Sequence, residues 1–155
     1  NVALVTFYAD CVPVFIFDAG KRAIGLAHSG WRGTMKEIAR EIVEKMCEEY
    51  ESRPCDMKVA VGPSIGKCCF EVGDEVIDAF INEIPWSKCF ISKHGEEKWN
   101  IDLKGIIKKT LMNSGVVEEN IEISSICTKC CRDLFFSYRG DEGKTGSLAA
   151  IMQLK

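Results

Sequence analysis

The chain has 155 residues, 46% of them hydrophobic and 28% charged, so it can bury the core of one domain. A net charge of −3 offers no basic footprint for nucleic acid, and Asp10, Asp18 and Lys21 interrupt the apolar N-terminal region before it reaches membrane-spanning length. Nine cysteines stand against two histidines, an odd thiol count that cannot pair completely. This pattern favours free thiols in a reducing compartment and hence a cytoplasmic protein.

The first third of the chain predicts three strands followed by a helix. Residues 2–8, 12–17 and 22–28 are rich in β-branched and aromatic side chains, and the second stretch is apolar enough to be covered on both faces. Thr34 with Glu37 three positions later matches a capping box, and apolar residues recur at helical spacing after it. We therefore expect a helix that begins at Thr34.

The remaining elements complete a mixed fold. Strands are predicted over residues 57–61, 121–126 and 147–154, and helices over residues 73–80 and from Asp102 to Gly115. The order predicts an α/β (α+β) single domain of mixed β-sheets flanked by helices. Cys47 is predicted on a helix face, Cys55 in a loop and Cys89 in a strand.

Cys11 and His28 form the first candidate site. Cys11 lies between two predicted strands and His28 closes the third, so their side chains can meet if these strands are neighbours. A thiolate and an imidazole are zinc ligands and also a nucleophile–base pair, although two unrelated residues would look the same. Gly30 and Gly33 flank Arg32, which either binds an anion such as phosphate at the start of the predicted helix or forms a surface ion pair.

Three further segments are candidates. Residues 62–69 (GPSIGKCC) form a glycine-bounded loop after a strand, which is either a ligand site or a tight connection. Residues 127–131 (CTKCC) contain a Cys-x-x-Cys step that could complete a four-sulfur structural zinc site with Cys68 and Cys69, or act as a redox dithiol. Residues 135–146 place aromatics and an arginine before a glycine-rich turn, typical either of a base-stacking surface or of core aromatics before a hairpin.

Four segments taken together resemble one family. They are ADCVP, AHSGWRG, GPSIGKCCFEVG and FFSYR, beginning at residues 9, 27, 62 and 135. In this order they resemble the YfiH/laccase-domain family, also called multicopper polyphenol oxidoreductases, from about residue 3 to the end of the chain. The resemblance implies layered helices around mixed sheets, similar to the cysteine-hydrolase domain of a bacterial toxin.

The resemblance also implies a function. Members are described as zinc-dependent purine nucleoside enzymes that phosphorolyse adenosine, inosine and methylthioadenosine and deaminate adenosine, so purine nucleosides and phosphate are the expected small-molecule partners. Other members are described as peptidoglycan editing factors, which makes amide hydrolysis at a cysteine or zinc centre an alternative. The laccase description agrees least with the composition, because two histidines cannot supply several copper centres. Cu²⁺ nevertheless stays an alternative metal. A non-catalytic metal-binding interaction module is the remaining alternative.

Site residues follow from matching positions in the family motifs. Cys11 and His28 correspond to metal ligands, with the third ligand, a histidine, expected upstream of this chain; the start at Asn1 predicts a domain that lacks its N-terminal portion. Arg32 is the expected phosphate clamp, and Ser29 replaces the family's alanine beside His28. The other expected substrate- and phosphate-binding residues are Gly62, Ser64, Lys67, Cys68, Ser137 and Arg139.

Overall fold

A four-stranded sheet forms the centre of the protein. The computed structural model describes residues 2–155. Its strands, in chain order, are β2 (Val12–Asp18), β3 (Ala23–Ser29), β4 (Lys58–Val61) and β8 (Ile121–Ile123). In space they lie in the order β3-β2-β4-β8, with β8 parallel to β4 and the other pairs antiparallel. Val12, Val14 and Ile16, which share one face of β2, are fully buried. On the other face Phe15 and Phe17 are half-buried, so the strand is covered completely on one face and partly on the other.

Two smaller sheets complete the β structure. β1 (Ala3–Tyr8) pairs antiparallel with the C-terminal strand β9 (Leu148–Gln153). A three-stranded antiparallel sheet consists of β5 (Glu71–Val72), β7 (Trp99–Ile101) and β6 (Ile91–Lys93). These last three strands escaped sequence analysis because two or three residues are too few to show an alternating pattern.

The helix predicted to begin at Thr34 is in fact two helices. α1 (Trp31–Met35) starts after Gly30, and α2 (Ile38–Tyr50) starts after Glu37, whose φ of 53° places it in the left-handed region. The prediction that Thr34 is an N-cap is wrong, because Thr34 lies within α1 and does not precede a helix. Its buried hydroxyl lies 2.9 Å from the Ser29 hydroxyl. The apolar periodicity predicted the face of α2 correctly but could not reveal the break.

The later helices agree better with their sequence signals. α3 (Asp74–Glu83) buries Ile77 and Phe80. Asp102 is the N-cap of α4 (Leu103–Asn113), as predicted, and its side chain accepts a hydrogen bond from the Gly105 N–H. Cys89 was predicted in a strand but lies exposed in a 3₁₀ turn, Pro85–Phe90.

Close packing joins α2 to the central sheet. A Cβ on Gly25 of β3 would lie 2.9 Å from Ile42 Cδ1 and 3.0 Å from Met46 Sδ, so a larger residue there would force these two side chains to shift. The core extends from here to α4 and β7, where Ile101, Ile106 and Leu111 are fully buried. No helix within residues 2–155 is long and apolar enough to cross a membrane.

Candidate active site

Strand pairing brings Cys11 and His28 to the same edge of the central sheet. In the register of β2 and β3, Val12 is opposite Ser29, so the residue before β2 lies beside the end of β3. A Cβ on Gly30 would lie 3.0 Å from Cys11 Sγ and 4.0 Å from His28 Nε2. The thiol and the imidazole therefore share the space that the missing side chain of Gly30 leaves open.

The surroundings of this pair differ on its two sides. Cys11 is half-buried, whereas His28 is exposed. The ring of Tyr8 packs edge-on against the His28 ring, with 6.1 Å between the ring centroids. The imidazole is thus oriented by an aromatic neighbour and keeps access to solvent.

A cavity of about 200 Å³ opens beside Cys11. It has aromatic walls, and its one cationic lining residue is an arginine from the segment 135–146. Such a mixture of apolar faces and a few polar groups is typical of small-molecule sites. Its lining residues are Ala9, Asp10, Cys11, Trp31, Ile65, Phe70, Leu103, Tyr138 and Arg139.

Two arginines contact aromatic residues that line this cavity. Arg139 donates from Nη1 to the Glu71 carbonyl at 2.7 Å, and its guanidinium carbon lies 5.4 Å from the centre of the Phe70 ring. The Arg32 guanidinium lies 4.1 Å from the centre of the ring of Trp31, one of the cavity walls. Arg139 thus lines the cavity, whereas the exposed Arg32, the expected phosphate clamp, is not among the lining residues and adjoins the cavity only through Trp31. Guanidinium groups suit binding of an anion.

Asp10 ties the cavity to distant parts of the chain. It is buried, with a φ of 76°, in the connection between β1 and β2. Its carboxylate accepts hydrogen bonds from the Thr128 hydroxyl and the Arg139 N–H, both at 2.7 Å, and its carbonyl accepts one from the Ile65 N–H at 2.9 Å. The position of Cys11 is consequently fixed by three segments that meet at its neighbour.

The environment of Cys11 favours the protonated thiol in the absence of a metal. Burial raises the pKa of Cys11, and the nearby Asp10 carboxylate raises it further. A reactive cysteine nucleophile needs the opposite shift. A bound cation, in contrast, would stabilise the thiolate at this position.

Several predicted binding residues lie away from the cavity wall. The Gly62 N–H donates to the Pro13 carbonyl, and Ser64 is fully buried in a bridge to Cys127. Lys67 is exposed, and Ser137 is buried with its hydroxyl accepting a hydrogen bond from the Gly140 N–H. The Gly62 N–H and the Ser137 hydroxyl are therefore used within the loops around the site, whereas the buried Ser64 hydroxyl has no hydrogen-bond partner among the described residues.

Other residues of the cavity were not predicted individually as site residues, although Tyr138 belongs to the segment predicted as a possible stacking surface. Asp10, Trp31, Phe70 and Tyr138 all line it, and each occurs inside one of the four family-like segments. Their presence in those segments indicated that they could belong to a functional site, but their shared location depends on how the segments come together in space.

A second group of candidate metal-binding side chains lies outside the lining of this cavity. The Sγ atoms of Cys68, Cys69, Cys127 and Cys130 lie within 4.8 Å of one another, an arrangement that could hold a metal ion. Cys68 thus belongs to this cluster and is not a cavity-wall residue. The cluster unites the two cysteine-bearing loops, as the sequence suggested for a four-sulfur site.

A family model described as multi-copper polyphenol oxidoreductase laccase matches residues 1–155. The chain belongs to this family. The match confirms the resemblance recognised in the four segments, and the fold agrees with it as well. The YfiH protein of Bacillus licheniformis superposes with a TM-score of 0.95 at 38% identity, covering all of this chain and 58% of that one.

Curated relatives carry a more specific description. A Bacillus subtilis protein named purine nucleoside phosphorylase YlmD is 39% identical over all of this chain and 56% of its own length. The protein of the same name from Geobacillus stearothermophilus is 36% identical, with 98% of this chain and 56% of the relative aligned. The chain therefore spans a little over half the length of these relatives.

Proposed function

We propose that this chain carries part of the active site of a zinc-dependent purine nucleoside phosphorylase. The substrates would be adenosine, inosine or methylthioadenosine together with phosphate, and adenosine deamination would be a second activity of the same site. The observation that carries the proposal is the approach of Cys11 Sγ and His28 Nε2 to within 4.0 Å of one point beside Gly30, next to a cavity with aromatic walls. The names of the relatives support the choice of reaction.

The donor set at this point fits a zinc ion. Zinc binds cysteine sulfur and histidine nitrogen, and catalytic zinc sites have three protein ligands and one open position. Cys11 and His28 would be two of these ligands, and the third would come from outside the described residues. Zinc bound here would supply a Lewis acid that polarises a substrate group or a water molecule.

The residues of this chain would hold both substrates. The faces of Trp31, Phe70 and Tyr138 offer stacking surfaces for a purine base. The guanidinium groups of Arg139 and Arg32 would hold the phosphate dianion near the ribose. In phosphorolysis a phosphate oxygen bonds to C1′ while the bond from C1′ to the base nitrogen breaks, and the departing base takes up a proton.

Positioned arginines would also assist this bond exchange. Positive charge develops on the ribose as the base departs, and a phosphate held next to C1′ stabilises that charge. Holding phosphate and nucleoside side by side further removes the entropy cost of their encounter. Asp10 acts through position only, because both of its carboxylate oxygens accept hydrogen bonds from Thr128 and Arg139.

The alternative of amide hydrolysis by a Cys11 thiolate receives less support. Burial and Asp10 raise the pKa of Cys11, which opposes formation of a free thiolate nucleophile. A covalent acyl adduct on Cys11, trapped during turnover of a cell-wall precursor in the presence of a chelator, would favour this alternative over phosphorolysis.

The decisive experiment measures base release by the intact protein. We expect adenine or hypoxanthine to be released only when phosphate is present, and Cys11→Ala and His28→Ala to lower kcat/KM by more than about 100-fold. Cys55→Ala is the matched control, since Cys55 is an exposed cysteine in a different loop. Full activity in both site variants, or base release that is independent of phosphate, would refute the proposal.

Substrate binding and metal identity can be separated from this result. Arg139→Ala is expected to raise the KM for phosphate more than the KM for the nucleoside, because its guanidinium is assigned to the anion. Reconstitution of metal-depleted protein with Zn²⁺ or Cu²⁺ then tests the metal, and restoration by copper alone would contradict the zinc assignment.

A further inference from the structure

We infer that Cys68, Cys69, Cys127 and Cys130 form a structural zinc tetrathiolate, separate from the proposed Cys11–His28 site. The four sulfurs lie within 4.8 Å of one another, with 3.7 Å between Cys68 and Cys130 and 3.5 Å between Cys69 and Cys130. Four sulfurs that bind one zinc ion tetrahedrally at about 2.3 Å are about 3.8 Å apart. The observed spacing is thus close to the edge of such a tetrahedron.

Local backbone structure directs the four side chains to one point. Adjacent residues of an extended chain point in opposite directions, but Cys68 and Cys69 lie in a turn in which the Gly66 carbonyl accepts hydrogen bonds from the N–H groups of Cys69 and Phe70, both at 3.0 Å. The opposing loop is held in register by a hydrogen bond of 3.0 Å from the Thr128 N–H to the Ser64 carbonyl. The two loops therefore present their thiols to each other before any metal binds.

The electrostatic surroundings suit a negatively charged metal centre. A zinc ion with four thiolates carries a net charge of −2, and Lys67 and Lys129 are sequence neighbours of its ligands. The buried Lys104 donates from Nζ to the carbonyls of Ser124 and Ile126, at 2.7 and 3.0 Å, directly before the Cys127 loop. Of these cations, Lys104 is the one whose charge interacts with Cys127 and Cys68 in the structure, and it would offset part of the negative charge of the cluster.

Hydrogen bonds to sulfur prepare one ligand in particular. Although burial raises the pKa of Cys127, N–H donors from Gly66 and Cys130 outweigh it and lower this pKa to about 7. The Gly66 nitrogen lies 3.2 Å from Cys127 Sγ. This contact holds Cys127 Sγ against the loop that carries Cys68 and Cys69.

Four protein ligands leave no open coordination position, so the role of this zinc would be structural. Thr128 lies between the ligands Cys127 and Cys130, and its hydroxyl donates to Asp10 beside Cys11. The metal would therefore fix the loop that positions Asp10 and, through it, the proposed active site. Zinc at the cluster does not depend on phosphorolysis, so the two proposals can fail separately.

The test uses the intact protein with Cys11→Ala and His28→Ala combined, which removes the other candidate site. We expect one zinc ion per chain by elemental analysis and an X-ray absorption spectrum with four sulfur neighbours at about 2.3 Å. Bound iron, a disulfide among the four cysteines, or four free thiols without metal would each overturn the inference.

Substitution at one ligand provides a second, independent readout. In the same background, Cys130→His retains a zinc ligand, so zinc should stay bound with three sulfur neighbours and one nitrogen neighbour. Cys130→Ser should weaken zinc binding at least tenfold in competition with a chromophoric chelator, whereas the control Cys55→Ser should not. An unchanged sulfur count in Cys130→His, measured on protein with native circular dichroism, would contradict the assignment even if the serine variant does not fold.

Discussion

Replacing Asp10 tests whether this residue holds the cavity together. In Asp10→Ala, the buried Thr128 hydroxyl and the Arg139 N–H both lose their acceptor. Each unsatisfied buried donor costs about 1–3 kcal/mol, and a left-handed φ of 76° is less favourable for alanine than for aspartate. We therefore expect the free energy of unfolding to fall by about 3–5 kcal/mol.

Asp10→Asn distinguishes hydrogen bonding from simple loss of a side chain. The asparagine oxygen can accept from the Arg139 N–H while its amide donates to the Thr128 hydroxyl, which is also an acceptor. Asparagine tolerates the left-handed backbone as well, so the expected loss is only about 1 kcal/mol, from weaker uncharged hydrogen bonds.

Urea unfolding at neutral pH, followed by circular dichroism, measures both variants. The exposed Asp78 supplies matched controls, because Asp78→Ala and Asp78→Asn should change the unfolding free energy by no more than about 0.5 kcal/mol. Equal losses for Asp10→Ala and Asp10→Asn, or a loss in Asp10→Ala as small as in the Asp78 controls, would show that these hydrogen bonds do not stabilise the fold.

Three further predictions concern single positions. Gly30→Ala places a Cβ 3.0 Å from Cys11 Sγ and should lower the rate of phosphorolysis about 10- to 100-fold with little change in thermal unfolding. Unchanged kinetics would refute the idea that Cys11 and His28 act in the space beside Gly30. The Thr145 hydroxyl and then the Ser137 N–H hold the pKa of Asp141 below its usual value, so their stabilisation is present above about pH 4 and is lost as the pH falls further. Thr145→Val should raise this pKa in a carboxyl NMR titration, and an unchanged value would contradict the assignment. Glu51 closes α2 with a φ of 54°, so Glu51→Gly should raise the unfolding free energy by about 0.5–1 kcal/mol in urea titrations, whereas a decrease would show that the backbone is not strained there.

Sequence patterns predicted the secondary structure correctly where it depends on residues that are close in the chain. The apolar run of β2 predicted a strand in the core, and the Asp102 signal predicted the start of α4. Its predicted burial on both faces holds fully for one face and partly for the other. The break between α1 and α2 was missed because Glu37 adopts a left-handed conformation that no local pattern of a glutamate indicates. A stripe of apolar residues continues through such a break without interruption.

The candidate sites show the same difference between what local sequence predicts and what the tertiary structure decides, for residues that are far apart in the chain. The sequence by itself determined the residue types and their family-like segments, including Cys11, His28 and the two cysteine pairs. Only the tertiary structure decided which of them meet. Thr128 binds Asp10 across 118 positions of the chain, and Cys130 lies beside Cys69 across 61.

The physical reason is that such contacts depend on strand order and loop shape, which are set by packing of the whole core. Local propensity acts over a few residues and cannot specify a partner a hundred positions away. The sequence therefore determined which chemistry is available to this protein, and the fold decided that its nine thiols divide into Cys11 beside the cavity, one four-sulfur cluster and four other positions.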